Sequence, residues 1–106
     1  MKVALVTGGA GAVGAAAARM LAEDGFRIVL ADRAAERTQA ICDEIVRDGG
    51  AAVVEAVDLL ADGACQRLIA RVAERFGGLD CLVNNAGMTG APRIDTIDVA
   101  VWNAVL

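Results

Sequence analysis

Val6-Thr7-Gly8-Gly9-Ala10-Gly11-Ala12-Val13-Gly14 is the stretch whose reading decides the fold of this chain. A short apolar run, Val3 to Val6, leads into it, and an alanine-rich segment, Ala15 to Ala18, leads out. The order is strand, glycine turn, helix. Counted from Gly9, the stretch satisfies G-x-G-x-x-G, the turn that seats a dinucleotide pyrophosphate on a helix N-terminus. A phosphate must come within hydrogen-bonding distance of backbone N–H groups, and a Cβ on its path would block it. The N–H groups of the first helical turn, backed by the helix dipole, then stabilise the negative charge. A glycine turn between strand and helix also occurs as a purely structural tight turn, so the context has to choose.

Beyond the turn, Val13, Ala17, Met20 and Leu21 recur at helical spacing, and Gly25 closes the helix. Phe26 to Ala31 is a second apolar run of strand length, ending at Asp32-Arg33. Thr38, Ile41, Cys42, Ile45 and Val46 mark one face of a second helix, stopped by Gly49-Gly50. Ala51 to Val57 reads as a third strand and ends at Asp58-Leu59. Cys65, Leu68, Ile69, Val72 and Phe76 line a third helix, stopped by Gly77-Gly78. Leu79 to Val83 is a fourth strand, followed by Asn84-Asn85-Ala86-Gly87. After a loop holding the only proline, Pro92, a last helix is expected with Asp95 or Thr96 as its N-cap.

This β-α-β-α-β-α-β-α order predicts an α/β fold: a three-layer, Rossmann-like parallel sheet of order 3-2-1-4 built by right-handed crossovers. Continuous rather than alternating apolar strands agree with a sheet buried on both faces. Gly8 to Gly14, Asp32, Asp58-Leu59 and Asn85 to Gly87 then share one carboxyl edge, where open α/β sheets bind ligands.

The 106 residues allow one small domain or a piece of a larger one, burying roughly two-thirds of the unfolded surface. Hydrophobic residues make up 57% and aromatics only 3%, so the core has to come from Ala, Val, Leu and Ile. A net charge of −4 without any run of Lys or Arg argues against nucleic acid as a partner. No apolar stretch is long enough to span a membrane, and Met1-Lys2 runs straight into a strand without a signal-peptide pattern, so a cytoplasmic location is expected. Cys42, Cys65 and Cys81 are widely spaced, with no CxxC pair and no histidine, which argues against a metal site or disulfide framework. All three are expected to be small buried apolar residues.

With these residues in place, the chain resembles the short-chain dehydrogenases/reductases. Thr7, Gly8 and Gly14 match the family's Thr-Gly-x-x-x-Gly-x-Gly motif, with Ala12 where the middle glycine most often stands. Asp58-Leu59, Asn84-Asn85-Ala86-Gly87 and Trp102 continue the resemblance in the right order and spacing. It covers essentially the whole chain, but only the N-terminal half of a typical member, so residues 1–106 are expected to be a truncated, partial dinucleotide-binding domain. The resemblance implies that Gly8, Gly9, Ala10, Gly11, Ala12, Val13 and Gly14 hold the pyrophosphate of a nicotinamide dinucleotide.

Two roles are open to Asp32: accepting hydrogen bonds from the adenine-ribose hydroxyls, which would repel the extra phosphate of NADP, or capping the second helix. The guanidinium of Arg33 could instead pair with a 2′-phosphate. NADP-preferring members tend to carry a basic residue just before the middle glycine, where this chain has Gly11, so NAD is favoured over NADP. By resemblance, Asp58 and Leu59 meet the adenine through a side-chain acceptor and a backbone N–H; the alternatives are a helix cap for Asp58 and a core position for Leu59. Asn85, Ala86 and Gly87 are implied to lie against the ribose, with Asn84 or Asn85 tying strand ends together.

The family's hydride transfer uses Ser, Tyr and Lys aided by Asn, with Tyr as general acid or base. This chain has no tyrosine and no serine, and Lys2 is its only lysine. Asn103 falls short of the family's asparagine position. No catalytic residue is therefore assigned. The leading expectation is the cofactor-binding part of an oxidoreductase acting on a small alcohol or carbonyl substrate, inactive as 1–106 alone. The alternatives are a non-catalytic nucleotide-binding module and a fragment that completes its sheet with another chain. An open fourth strand, flanked by Leu82, Val83 and the apolar Val101, Trp102, Val105 and Leu106 with only Asp80 nearby, leads to an expectation of self-association.

Overall fold

The computed structural model describes residues 1–84, and the positions expected to form the last helix lie outside them. Four strands and three helices alternate: β1 (Val3–Thr7), α1 (Ala12–Glu23), β2 (Arg27–Asp32), α2 (Ala35–Arg47), β3 (Ala51–Ala56), α3 (Ala64–Phe76) and β4 (Cys81–Asn84). The strands form one parallel sheet of order β3-β2-β1-β4, as the crossover rule predicts. The central pair is the best covered: every residue of β1 is buried, and so are the four inner residues of β2. The outer strands β3 and β4 are half-buried, since each has a single neighbour among the described strands.

Because strand side chains alternate, β1 and β2 divide their residues between two cores. Ala4, Val6, Ile28 and Leu30 face Ala15 and Ala18 of α1 and Ile41, Cys42 and Ile45 of α2. Val3, Leu5, Val29 and Ala31 face Leu68, Ile69 and Val72 of α3. Helices on both faces of a parallel sheet make the three layers. Two helices end in the same way, with a left-handed glycine that no L-residue adopts cheaply. Gly25 (φ 93°) lets its own N–H reach Ala22 O and the Phe26 N–H reach Leu21 O; Gly49 (φ 93°) does the same with Val46 and Ile45.

Helix α1 departs in part from the face read in the sequence: Leu21 packs against the first core and Ala17 is half-buried, but the rest of that face is exposed. Its buried residues are Gly14, Ala15 and Ala18, whereas Val13 and Met20 are 68% and 67% exposed. The segment is apolar nearly all round, so hydropathy does not single out a face. Small side chains allow the closer approach to the sheet, and that approach selects the glycine–alanine face. Val46 is likewise exposed on α2, while Thr38 is fully buried through a hydroxyl that donates to Ala34 O at 2.7 Å. Of the three cysteines only Cys42 is buried; Cys65 and Cys81 are half-buried at the margins of the two cores. Burial, and secondarily the Asp43 carboxylate, pushes the Cys42 thiol up, which keeps it neutral as a packing residue.

Asp80 does not guard an open strand edge. Its Oδ2 accepts the Val3 N–H at 2.8 Å, and its own N–H donates to Val3 O at 2.9 Å, so it fastens the start of β4 to β1. Asp80→Ala leaves the buried Val3 N–H without its acceptor. We expect a loss of about 1–3 kcal/mol in unfolding free energy, measured by urea denaturation. A change within about 0.3 kcal/mol would show that water replaces the carboxylate without penalty.

Candidate functional site

Parallel register brings the strand ends together. Thr7 lies between Ala31 on one side and Asn84 on the other, and Asp32 is opposite Ala56. The Thr7 hydroxyl approaches Val83 O and Asn84 Oδ1, both at 3.2 Å, and the Val57 N–H donates to Asp32 O at 3.2 Å. The sequence reading named Asn84 or Asn85 as the residue tying strand ends; Asn84 is one that does so. The part of Thr7 in that tie was not anticipated.

The glycine turn leaves β1 at this edge. Gly8 has φ 67°, and its N–H and that of Gly9 both donate to Ala31 O, at 2.9 and 3.3 Å. The Gly11 N–H closes the turn onto Gly8 O at 3.0 Å. Gly11 is the N-cap of α1 and supplies no side-chain cap. The first intrahelical bond runs from Ala15 N–H to Gly11 O at 2.8 Å, so the N–H groups of Ala12, Val13 and Gly14 have no intrahelical acceptor. No acidic residue of the helix itself occupies its first turn. Ala12 opens α1 in place of the family's middle glycine, and the helix starts normally on it.

The glycines serve different ends. A Cβ on Gly9 would come within 2.8 Å of Leu30 Cδ2 and 3.2 Å of Leu30 Cβ, so packing against β2 keeps that position bare. A Cβ on Gly11 would meet only Gly8 O, at 3.4 Å, an ordinary contact. Its backbone (φ −77°, ψ 162°) suits any residue. A Cβ is therefore accommodated at Gly11 and not at Gly9.

Asp32 lies within reach of the turn. Its Oδ2 accepts the Ala10 N–H at 3.1 Å and its Oδ1 the Ala34 N–H at 2.9 Å. It is not the cap of α2, since the N-cap position belongs to Ala34. Arg33, beside it, is exposed. Asp58 does not cap a helix either. Its Oδ1 accepts the Leu60 N–H at 3.0 Å and its carbonyl the Ala61 N–H at 3.1 Å, whereas α3 starts later, behind Gly63. Leu59 is half-buried and packs against the second core. Asn85, Ala86 and Gly87 lie outside the described residues. Among the described residues no His/Cys/Asp/Glu group could hold a metal ion, and no helix is long and apolar enough to cross a membrane.

This edge combines an uncapped helix start, a bare turn and a carboxylate at the end of the next strand, the chemistry of a site for an anionic dinucleotide. Comparison with known proteins identifies the family. The sequence pattern of the family described as short chain dehydrogenase matches residues 2–106. The 2,5-dichloro-2,5-cyclohexadiene-1,4-diol dehydrogenase LinX of Sphingobium indicum is 35% identical over 105 residues, covering 99% of this chain and 42% of that protein. A metagenomic short-chain oxidoreductase crystallised with NADP superposes with a TM-score of 0.79 at 40% identity, over 98% of this chain and 48% of the other. A short chain dehydrogenase from Burkholderia cenocepacia J2315, also in complex with NADP, gives 0.77 at 42% identity, over 99% of this chain and 43% of the other. The chain thus spans less than half the length of each of these proteins.

Proposed function

The chain belongs to the short chain dehydrogenase family, and from that premise we propose that it binds NAD for an oxidoreductase that interconverts an alcohol and a carbonyl. The observation that carries this reading is the uncapped start of α1 behind the glycine turn, with the Asp32 carboxylate beside it. The pyrophosphate is assigned to the N–H groups of Ala12, Val13 and Gly14, where the helix dipole favours negative charge. The adenine ribose is assigned to Asp32, and the adenine to the Asp58 carboxylate and the Leu59 backbone. Asn85, Ala86 and Gly87 are assigned to the second ribose. The nicotinamide, when bound, gives or takes the hydride. Residues 1–106 hold no tyrosine or serine, so their part is binding and orientation rather than proton transfer, and alone they are expected to be inactive.

Asp32 supports NAD over NADP, because a carboxylate there attracts ribose hydroxyls and repels a 2′-phosphate. Two observations favour a second reading, NADP: similar structures were crystallised with it, and the exposed Arg33 adjoins Asp32. Calorimetric titration of the protein with both cofactors tests the choice, and tighter binding of NADP would defeat the Asp32 assignment. Gly11→Arg gives a second measure. The backbone there accepts a Cβ without a clash, so we expect a relative gain for NADP of about tenfold, the scale of one charge-assisted contact to phosphate. An unchanged ratio would mean that position 11 lies away from the 2′-position.

A further inference from the structure

Three hydrogen bonds tether the glycine turn to the end of β2. Two of them, from Gly8 N–H and Gly9 N–H to Ala31 O, act on the first half of the turn. The third runs from Ala10 N–H to Asp32 Oδ2 at 3.1 Å and acts on the half that delivers the chain into α1. The next residue, Gly11, is the N-cap and has no side chain with which to fix itself. The other oxygen of the same carboxylate holds Ala34, the N-cap of α2, at 2.9 Å. One side chain therefore sets the start of both helices on this face of the sheet.

We propose that Asp32 is a positioning residue for the phosphate-binding turn as well as a ribose acceptor, so that one carboxylate couples the adenosine end of the site to the pyrophosphate end. This rests on the dinucleotide reading above. A carboxylate has about four lone-pair sites on its two oxygens. The two backbone donors leave room for two ribose hydroxyls, so Ala10 need not be released when the ribose arrives. Without Asp32, Ala10 and Gly11 lose their tether to β2, and the N–H groups of Ala12, Val13 and Gly14 lose a fixed orientation. Phosphate binding then weakens even for a ligand that has no hydroxyls for Asp32 to read.

The test separates the two roles. The probe is an NAD analogue with 2′,3′-dideoxyadenosine in place of adenosine, which keeps the pyrophosphate and lacks both hydroxyls. Asp32→Ala is expected to weaken the analogue about tenfold, the loss that follows from misplacing one charge-assisted bond. Amide hydrogen exchange of the cofactor-free protein is read in parallel, and Ala10 is expected to exchange at least tenfold faster in the variant. Asp32→Asn keeps the side-chain volume and a single acceptor, so Ala10 or Ala34 must lose protection even if the alanine variant fails to fold. Loss of affinity for NAD with unchanged affinity for the analogue overturns the proposal, leaving Asp32 a ribose acceptor only. Unchanged protection of both amides in Asp32→Asn overturns it as well. If the unaltered protein binds neither NAD nor the analogue, the dinucleotide reading fails, while the exchange result still decides whether Asp32 positions the turn.

Discussion

Leu30→Ala is expected to lower the unfolding free energy by about 2–5 kcal/mol. Leu30 is fully buried in the core between the sheet and helices α1 and α2, with the glycine turn resting on it. Domains of this size are stable by only about 5–15 kcal/mol, so the loss would be a large share of the total. The same contact makes a second, sharper expectation. Gly9→Ala alone should cost about 1–3 kcal/mol, because its methyl collides with Leu30 Cδ2 and crowds Leu30 Cβ. With Leu30 already truncated, Cδ2 is gone and much of that cost should vanish. A double-mutant cycle by urea denaturation should therefore show coupling of about 0.5–3 kcal/mol. Additive losses would mean that Gly9 is a glycine for some other reason, and the close approach of a ligand would be the first to examine.

Asp32→Ala is expected to reduce NAD affinity at least tenfold, with a smaller loss or a gain for NADP. Each charge-assisted hydrogen bond removed costs about 1.5–3 kcal/mol, and tenfold corresponds to about 1.4 kcal/mol. NADP should not suffer equally, because the variant also removes a negative charge from the neighbourhood of its 2′-phosphate. Titration of both cofactors against both proteins gives the ratio directly. Equal losses for the two would contradict discrimination by this carboxylate and leave only its effect on the turn.

Much of the architecture was open to reading from residues alone. Strands, helices and their glycine stops follow from local periodicity and from conformations that only glycine adopts easily, and both are properties of short stretches. Gly25 and Gly49 end their helices as read, and the order β3-β2-β1-β4 follows from right-handed crossovers of a β-α-β chain. The carboxyl-edge gathering of Gly8, Asp32 and Asp58 comes with that order. What the sequence determined by itself is therefore the element order, the sheet and the edge at which these residues gather.

The tertiary structure alone decided which atoms meet. Val13 and Met20 satisfy a helical period as well as Gly14, Ala15 and Ala18 do, and only the distance of approach to the sheet chooses the smaller set. Asp32 accepts the N–H of Ala34 at the start of α2, a local bond, and also holds Ala10, 22 residues away. Asp80 stands in the chain beside an exposed strand edge, and it holds Val3, 77 residues away. Leu59 packs against the margin of the second core, and a Cβ on Gly9 would meet Leu30. Hydrogen bonds and steric contacts act over a few ångströms of space whatever the separation along the chain, so their partners are settled only when the layers have packed.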